Sequence, residues 1–386
     1  MRGSRRTLLI VGLTAILLWW FLRHANLAGV AREMHDAQTL PLLFSLCMTA
    51  VTYVLRALRW QYLLAPIGHV RFGPAFRTTV IGFATNALLP GRLGELVRPY
   101  LLARRERLSA TATLATVLLE RVLDVAVVLL LFGVFVTLFD PGLAAVDAAT
   151  FRAVKTAGLI GGALSMASLG AAFALAGHPE GFGRAAGRLA RVLPANLARA
   201  TGRLVETFLR GFAVMREPGR LAVAVLLSVL LWVSIAAGAW FVMRAFHLTL
   251  PYSSSFLVLA FLAVGVLLPT PGGLGGFHEA FRFSVHTFYG VANDRAVAAA
   301  VVLHALSFVP VIVAGLIFMT HEGLTFGKLQ DVRAEAEGAS GHQPDQPSAS
   351  DVQALASSDV ARVAIPATPP VLNAASVRLE QEGRGA

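Results

Sequence analysis

Two short stretches rich in proline and glycine combine the residue types best suited to bind a charged ligand. Residues 86–98 read NALLPGRLGELVR, and residues 269–279 read PTPGGLGGFHE. Both contain the pattern P-G-x-L-G, and both interrupt apolar runs. A half-helix that restarts after such a break presents free amides to anions such as phosphate, and arginine adds bidentate contacts to phosphate oxygens. We therefore predict a site for an anionic group at these two breaks.

The composition indicates an all-α polytopic membrane protein. Of the 386 residues, 56% are hydrophobic and 14% are charged, whereas soluble domains carry about 25% charged residues. The net charge of +11 comes almost wholly from arginine and is concentrated in a few loops. This pattern is typical of the positive-inside rule and does not indicate a nucleic-acid partner. The single cysteine, Cys47, excludes a disulfide framework within the chain.

The apolar runs predict about six full spans and two re-entrant hairpins, from about eight hydrophobic segments. The stretch 75–89 would reach only about 22 Å as a helix, which is less than the roughly 30 Å of hydrocarbon. If this stretch crossed the membrane, the basic cluster 104–107 would lie on the outer side. The positive-inside rule therefore favours a re-entrant hairpin. The predicted segments are 8–22, 40–62, 110–139, 154–176, 221–246 and 296–319 as full spans, with hairpins formed by 75–89 and 92–103 and by 254–268 and 274–289.

The order of segments occurs twice, over about 40–139 and about 221–319, and the second copy starts from the opposite side. This predicts an inverted repeat, which many secondary transporters contain. The membrane domain would cover 1–325 of a bacterial inner-membrane protein, with an uncleaved N-terminal anchor and both termini cytoplasmic. Residues 177–220 are expected to form basic amphipathic helices on the cytoplasmic leaflet, and 326–386 a disordered cytoplasmic tail.

Charged residues inside the predicted spans have two interpretations each, because an intramembrane charge needs either a partner or a task. Glu95 and Glu279 could pair with neighbouring arginines, or could receive a cationic headgroup or a coupling proton. Glu120 and Asp124 lie on one helix face. They could form a buried ion-pair cluster with Arg59 or Arg98, or could line a cavity beside Arg121. For Arg59 the alternatives are interfacial snorkelling and contact with anionic lipid.

These residues together resemble the signatures of the lysylphosphatidylglycerol synthase transmembrane-region family over about residues 7–325. The matching positions are Asn86, Leu89-Pro90-Gly91-Arg92, Gly94-Glu95, Arg98, Glu120-Arg121, Asp124, Pro269, Pro271-Gly272-Gly273, Gly275 and Glu279, with Arg56 and Arg59-Trp60 upstream. In two-part members of the family, the multiple peptide resistance factors, this membrane half is implicated in flipping aminoacylated phosphatidylglycerol, and a separate soluble half attaches the amino acid. The residues after 325 are too few and too polar for that half. The resemblance therefore implies the flippase-like module without synthase activity.

The leading hypothesis is a lipid flippase that handles a phospholipid or another anionic headgroup by alternating access. The predicted headgroup-binding residues are Arg59, Asn86, Gly91, Arg92, Gly94, Glu95, Arg98, Glu120, Arg121, Asp124, Gly272, Gly273, Gly275 and Glu279. No zinc-helix, P-loop, nucleophile-elbow or paired Cys/His spacing occurs in the sequence, so we expect no enzyme activity, metal or cofactor. The expected partners are membrane lipids, in particular anionic phospholipids, with or without a lipid-modifying enzyme.

Two alternatives remain open at the level of sequence. The chain could be a membrane-embedded enzyme or accessory subunit acting on a lipid-linked sugar or on a polyprenyl or hopanoid lipid, with Glu120 or Asp124 as the base. It could instead be a scaffold that docks a soluble partner through 177–220 or the tail.

Overall fold

The computed structural model describes residues 2–23, 25–89, 92–138, 147–177, 218–268 and 270–324. Within these ranges the regular secondary structure is helical, with one 3-10 turn at Pro271–Gly273. The helices are α1 (Arg2–Leu22), α2 (Leu27–His35), α3 (Thr39–Leu64), α4 (Phe72–Leu88), α5 (Gly94–Glu106), α6 (Ala110–Leu138), α7 (Ala148–Gly177), α8 (Pro218–Ala245), α9 (Ser254–Leu267), α10 (Gly276–Tyr289) and α11 (Asn293–His321).

Four of these helices, α3, α6, α8 and α11, are long and apolar enough to cross a membrane. The number is five when α1 and α2, which meet at a bend of 79°, are counted as one span. The all-α membrane fold is thereby confirmed. The count of six full spans stays a prediction.

Helices α4 and α5 form one hairpin, and α9 and α10 form another, and each is closed by a pair of glycines. A Cβ atom on Gly94, the first residue of α5, would overlap the carbonyl oxygen of Gly82 on α4. In the same way, a Cβ atom on Gly276, the first residue of α10, would overlap the carbonyl oxygen of Gly265 on α9. Both hairpins therefore need glycine at these positions for their arms to approach closely.

The two hairpins enter the helix bundle from opposite faces. At the first face, Arg105 in the last turn of α5 pairs with Glu322 at 2.5 Å. At the same face, Gly68 in the connection between α3 and α4 lies against Leu108. We call this the Glu322 face. At the other face, Glu33 pairs with Arg295 at 2.8 Å, and we call it the Glu33 face. Helix α4 begins at the Glu322 face, and helix α5 ends there. At the Glu33 face, α9 follows the end of α8, and α10 leads to the start of α11.

The long helices pack around these hairpins. Helix α3 runs along α8, with buried Thr52 hydrogen-bonded to Ser234 at 2.9 Å. Helix α6 packs closely on α7, where a Cβ atom on Gly133 would lie 2.8 Å from the Cα atom of Gly162. Helix α11 packs against α4 through Gly315. The hairpins are therefore packed against the long helices on part of their surface, and contact with protein is a condition under which broken helices are tolerated at membrane depth.

The structure differs from the predictions in several boundaries. The stretch between the predicted segments 8–22 and 40–62 contains helix α2, because the side chain of Asn26 accepts hydrogen bonds from the first amides of that helix, those of Ala28 (3.1 Å) and Gly29 (3.3 Å). The second arms of the hairpins were predicted over 92–103 and 274–289, and their helices begin at Gly94 and Gly276. Most of the basic segment 177–220 and the tail 326–386 lie outside the described residues.

Candidate functional site

A cavity of about 740 Å³ lies between the two hairpins and the helices α3, α6, α8 and α11. Its charged lining consists of Arg56, Arg92, Glu95, Arg121 and Asp124, joined by the amide of Asn86. Along α6, the next lining residues toward the Glu33 face are apolar: Val125, Val128, Leu129 and Phe132. The first arm of the second hairpin adds further apolar residues, including Leu262, Val264 and Leu267. The cavity therefore has a charged end and, toward the Glu33 face, an apolar end whose described lining carries hydroxyl groups, such as those of Ser45, Thr49 and Ser307, but no charge.

A chain of alternating charges forms the wall behind the charged end. Glu120 pairs with Arg98 on one side and, at 3.5 Å, with Arg59 on the other. Arg59 pairs in turn with Asp124 at 2.6 Å. The side chains of Arg59 and Glu120 are 0% and 1% exposed, so this part of the chain is a buried ion-pair cluster that ties α3, α5 and α6 together.

Neutral groups complete this buried cluster. Ser228 on α8 accepts a hydrogen bond from Arg59 at 3.1 Å, and the indole of Trp232 donates to Asp124 at 3.0 Å. The guanidinium of Arg98 lies 4.3 Å from the ring centre of Trp60. Each charge of the cluster thus has an opposite charge beside it, as buried charges require, although the Nε and Nη2 atoms of Arg59 and the Oε1 atom of Glu120 form no hydrogen bond within the described residues.

The chain of charges continues from Asp124 into the cavity. Arg121 pairs with Asp124 at 3.3 Å and with Glu95 at 4.0 Å, and Glu95 lies 4.0 Å from Arg92. The side chains of these three cavity residues are partly exposed: 32% for Arg121, 30% for Glu95 and 39% for Arg92. The two pairs of Glu95 are therefore the longest in the chain, and they lie among side chains that face the cavity.

Arg92 also connects the two hairpins. Its Nη2 atom donates to the carbonyl oxygen of Val266 at 2.5 Å, in the last turn of α9. The last carbonyls of a helix have no partner within it and favour a cation. Arg92 itself has φ 54°, in the left-handed region that few residues other than glycine adopt. A second contact lies close by, where a Cβ atom on Gly272 would be 3.3 Å from the carbonyl oxygen of Ala87.

Of the predicted headgroup residues, several line the cavity. These are Asn86, Arg92, Glu95, Arg121, Asp124, Gly272 and Gly273. Three others, Arg59, Arg98 and Glu120, lie in the buried wall. Gly94 contacts the facing arm of its own hairpin, and Gly91 lies outside the described residues.

The second break contributes less charge than the sequence suggested. Glu279 pairs with Arg282 on its own helix at 2.5 Å, and Arg282 also donates to Asn293 at 3.0 Å. Gly275 lies tightly against Leu17 of α1. Neither Glu279 nor Gly275 is among the described residues that line the cavity. From this side, the break offers the cavity backbone groups, apolar side chains and the hydroxyl group of Thr270.

Arg56 is a cavity residue that the predicted set omits. Its guanidinium lies 4.5 Å from the ring centre of Phe83, its Nε atom has no hydrogen-bond partner, and no carboxylate among the described residues forms an ion pair with it. The three-residue spacing from Arg59 already placed both arginines on one face of α3. What the sequence could not show was that α3 carries Arg56 past the buried wall and into the cavity.

Histidines near the second break are part of the packing. His304 hydrogen-bonds to the carbonyl oxygen of Gly272 at 2.9 Å, and its ring lies 4.5 Å from that of His278. Phe308 stacks on His304 at 4.4 Å. These contacts fix the 3-10 turn against α11.

Comparison with known protein families supplies a match over most of the chain. A family model described as the lysylphosphatidylglycerol synthase TM region matches residues 7–315. Comparison with curated proteins gave no match.

Proposed function

Because the chain belongs to the family of the lysylphosphatidylglycerol synthase TM region, we propose that it carries a lipid with an anionic headgroup across a bacterial inner membrane. The observation that carries this proposal is the cavity between the hairpins, which has arginines at one end and apolar side chains at the other. An amphiphile has the same division between its headgroup and its acyl chains.

The charge balance around the cavity favours an anionic headgroup. Counting the wall and the cavity lining together, five arginines face three carboxylates, which leaves a net charge of +2. Uncompensated charge inside a membrane protein is costly. A phosphate group at the charged end would offset part of this excess and could accept hydrogen bonds from more than one guanidinium. The residues placed to bind it are Arg56, Arg92 and Arg121.

The size and opening of the cavity fit a headgroup together with part of its acyl chains. A volume of about 740 Å³ lies within the roughly 300–1,000 Å³ of typical ligand pockets. Val264 and Leu267 both line the cavity and are 65% exposed on α9. Acyl chains could therefore leave the cavity along these side chains into the surrounding hydrocarbon.

For the transport step we propose alternating access by an inverted repeat of about six spans and two re-entrant hairpins. Support comes from the two hairpins, which enter from opposite faces, close through glycine pairs and meet at their tips. The Glu322 face would be cytoplasmic, as would both termini, because the basic residues 104–107 lie there.

We further propose that the protein is not an enzyme. The bases that an enzymatic alternative would use are already bound: Arg98 and Arg59 contact Glu120, and Arg59, Arg121 and Trp232 contact Asp124. A substrate that used either carboxylate as a base would first have to displace the arginines that hold it.

Transport of fluorescent phosphatidylglycerol in proteoliposomes tests the proposal. Dithionite destroys the label on the outer leaflet only, so the rate of inward or outward movement can be measured for the wild type and for an Arg92→Ala, Arg121→Ala double variant. We expect the wild type to move the lipid and the double variant to lose at least about 90% of the rate. Arg295→Ala, which removes an arginine from the Glu33 face, is the matched control.

Circular dichroism melting of both variants establishes that they are folded. A folded double variant with the wild-type rate would refute the site, and a wild type that moves neither phosphatidylglycerol nor another anionic lipid faster than empty liposomes would refute the function.

A further inference from the structure

Glu95 is the one carboxylate of the charged chain that is held loosely on every side. Its partners Arg92 and Arg121 lie 4.0 Å away, whereas the pairs of Asp124 are at 2.6 and 3.3 Å. Charge-assisted hydrogen bonds of arginine to an oxyanion are normally about 2.7–2.9 Å long. Glu95 therefore balances the charge of two cavity arginines without forming close hydrogen bonds to either.

A phosphate group would compete directly with this carboxylate. Both are oxyanions that guanidinium groups bind in the same geometry, and phosphate brings more acceptor oxygens. Because Glu95 lies between Arg92 and Arg121, a phosphate that contacts both arginines would take the place that Glu95 occupies. Repulsion between the two anions would then move Glu95 away.

The same arginine also holds the hairpin tips together. Through Nη2, Arg92 of the first hairpin donates to the carbonyl of Val266 at the end of α9. If phosphate draws the guanidinium of Arg92 away, the hydrogen bond to Val266 breaks. The C-terminus of α9 then has no cation beside it from this arginine. Part of the binding energy would thus be used to separate the hairpin tips. The headgroup would then bind the state with separated tips better than the state with joined tips, and such a difference in affinity is what shifts a conformational equilibrium.

We propose that Glu95 is a built-in competitor for the headgroup: an anionic headgroup displaces it from Arg92 and Arg121, and this displacement releases Arg92 from Val266 and unlocks the two hairpins. The proposal rests on the proposed function, since it concerns the regulation of the same cavity. It gives Glu95 a role opposite to that of a residue that binds a cationic part of the headgroup.

The two roles predict opposite effects of Glu95→Gln. A competitor that has lost its charge leaves the arginines free, so the Kd for dioctanoyl-phosphatidylglycerol should fall about tenfold. The maximal rate of transport should fall as well, because no carboxylate returns to expel the headgroup. Glu33→Gln, which removes a carboxylate from the ion pair on the Glu33 face, should match the wild type in both measurements.

Binding is measured on the purified full-length protein in detergent by titration with dioctanoyl-phosphatidylglycerol, dioctanoyl-phosphatidylcholine or glycerol 3-phosphate. The fall in Kd caused by Glu95→Gln should occur for dioctanoyl-phosphatidylglycerol and not for the other two ligands. An equal gain for glycerol 3-phosphate would instead identify a site for free phosphate compounds. Spin labels at Leu88 and Leu268, on a Cys47→Ser background, report the separation of the tips, which should increase when the anionic lipid is added.

The outcomes separate this inference from the proposed function. If the wild type binds and transports phosphatidylglycerol but Glu95→Gln binds it equally or more weakly, the competitor role is refuted while the transport function stands. An unchanged distance between the labels on lipid binding refutes the unlocking of the tips. If the wild type neither binds nor moves anionic lipid, the proposed function itself fails.

Discussion

Arg56 and Arg59 lie one helical turn apart on α3, yet their replacement should have opposite consequences. Arg59 is fully buried and contacts Asp124, Glu120 and Ser228. Arg56 faces the cavity and has no carboxylate partner among the described residues. We expect Arg59→Met to destabilise the fold and Arg56→Met to leave it stable while weakening the binding of anionic lipid.

The expected loss of stability in Arg59→Met depends on which charges stay buried when the arginine is removed. Removing one member of a buried ion pair costs about 3–5 kcal/mol, because the other charge stays buried without its partner. Here Asp124 would retain Arg121 and Trp232, and Glu120 would retain Arg98. We therefore expect a value near the lower limit, about 3 kcal/mol, which corresponds to a fall in Tm of roughly 6 °C or more at ~2 °C per kcal/mol.

For Arg56 the change removes a cation that forms no ion pair with a carboxylate of the described residues, and methionine keeps the apolar part of the side chain. The expected change in stability is within about 1 kcal/mol in either direction, since replacing a buried charge by an apolar group of similar volume is often neutral or stabilising. Binding of phosphatidylglycerol should weaken about tenfold, or ~1.4 kcal/mol, through the loss of one charged contact.

Thermal unfolding in one detergent, followed by circular dichroism, measures the stability of both variants beside the wild type. The double variant Arg59→Met, Asp124→Asn tests whether the cost arises from the charge left on Asp124, because it should recover part of the loss. Equal Tm values for Arg59→Met and Arg56→Met would refute the division between a structural wall and a binding surface.

Two further predictions concern the hairpins and a helix terminus. Gly94→Ala and Gly276→Ala should each sharply reduce the yield of folded protein, because the added methyl group would overlap the backbone of the facing arm. Size-exclusion chromatography measures this yield. Gly170→Ala is the matched control, because a Cβ atom there would have nothing within 4 Å. Asp147 caps α7: hydrogen bonds from the backbone and hydroxyl of Thr150 hold the pKa of its carboxyl below the usual range. A depressed pKa stabilises the fold above the unfolded-state pKa and ceases to do so on acidification, so Asp147→Ala should lower the Tm at about pH 7 and by less below about pH 4.

The sequence was sufficient to predict the long apolar helices and the position of the breaks, but it did not predict helix α2. Short apolar runs ended by P-G-x-L-G gave the hairpins to within a few residues, because proline and glycine interrupt helices in any context. The pairing of Gly82 with Gly94 and of Gly265 with Gly276 was not predictable in the same way. Glycines are frequent in membrane helices, and only the packing shows which of them face another backbone.

The candidate site was predictable as a set of residue types but not as an arrangement. Glu120 and Asp124 share a helix face, yet the sequence could not show that Glu120 lies in the wall and that Asp124 reaches the cavity. Glu95 and Glu279 occupy similar places in the two breaks, but Glu279 is neutralised by Arg282 one turn away. Distances between helices decide such roles, and a single sequence contains no measure of them.

The difference in burial along the charged chain explains how one network could serve both stability and transport. At its buried end Arg59 and Glu120 have almost no exposed surface, so breaking their ion pairs would leave charges in an apolar interior at high cost. Its cavity end has pairs at 4.0 Å between partly exposed groups, and such pairs contribute at most about 1 kcal/mol. A ligand can therefore replace the contacts of Glu95 without disturbing those of Arg59. Because Arg92 belongs to the weak end and also contacts Val266 of the other hairpin, the part of the network that is easiest to rearrange is the part that joins the two hairpins.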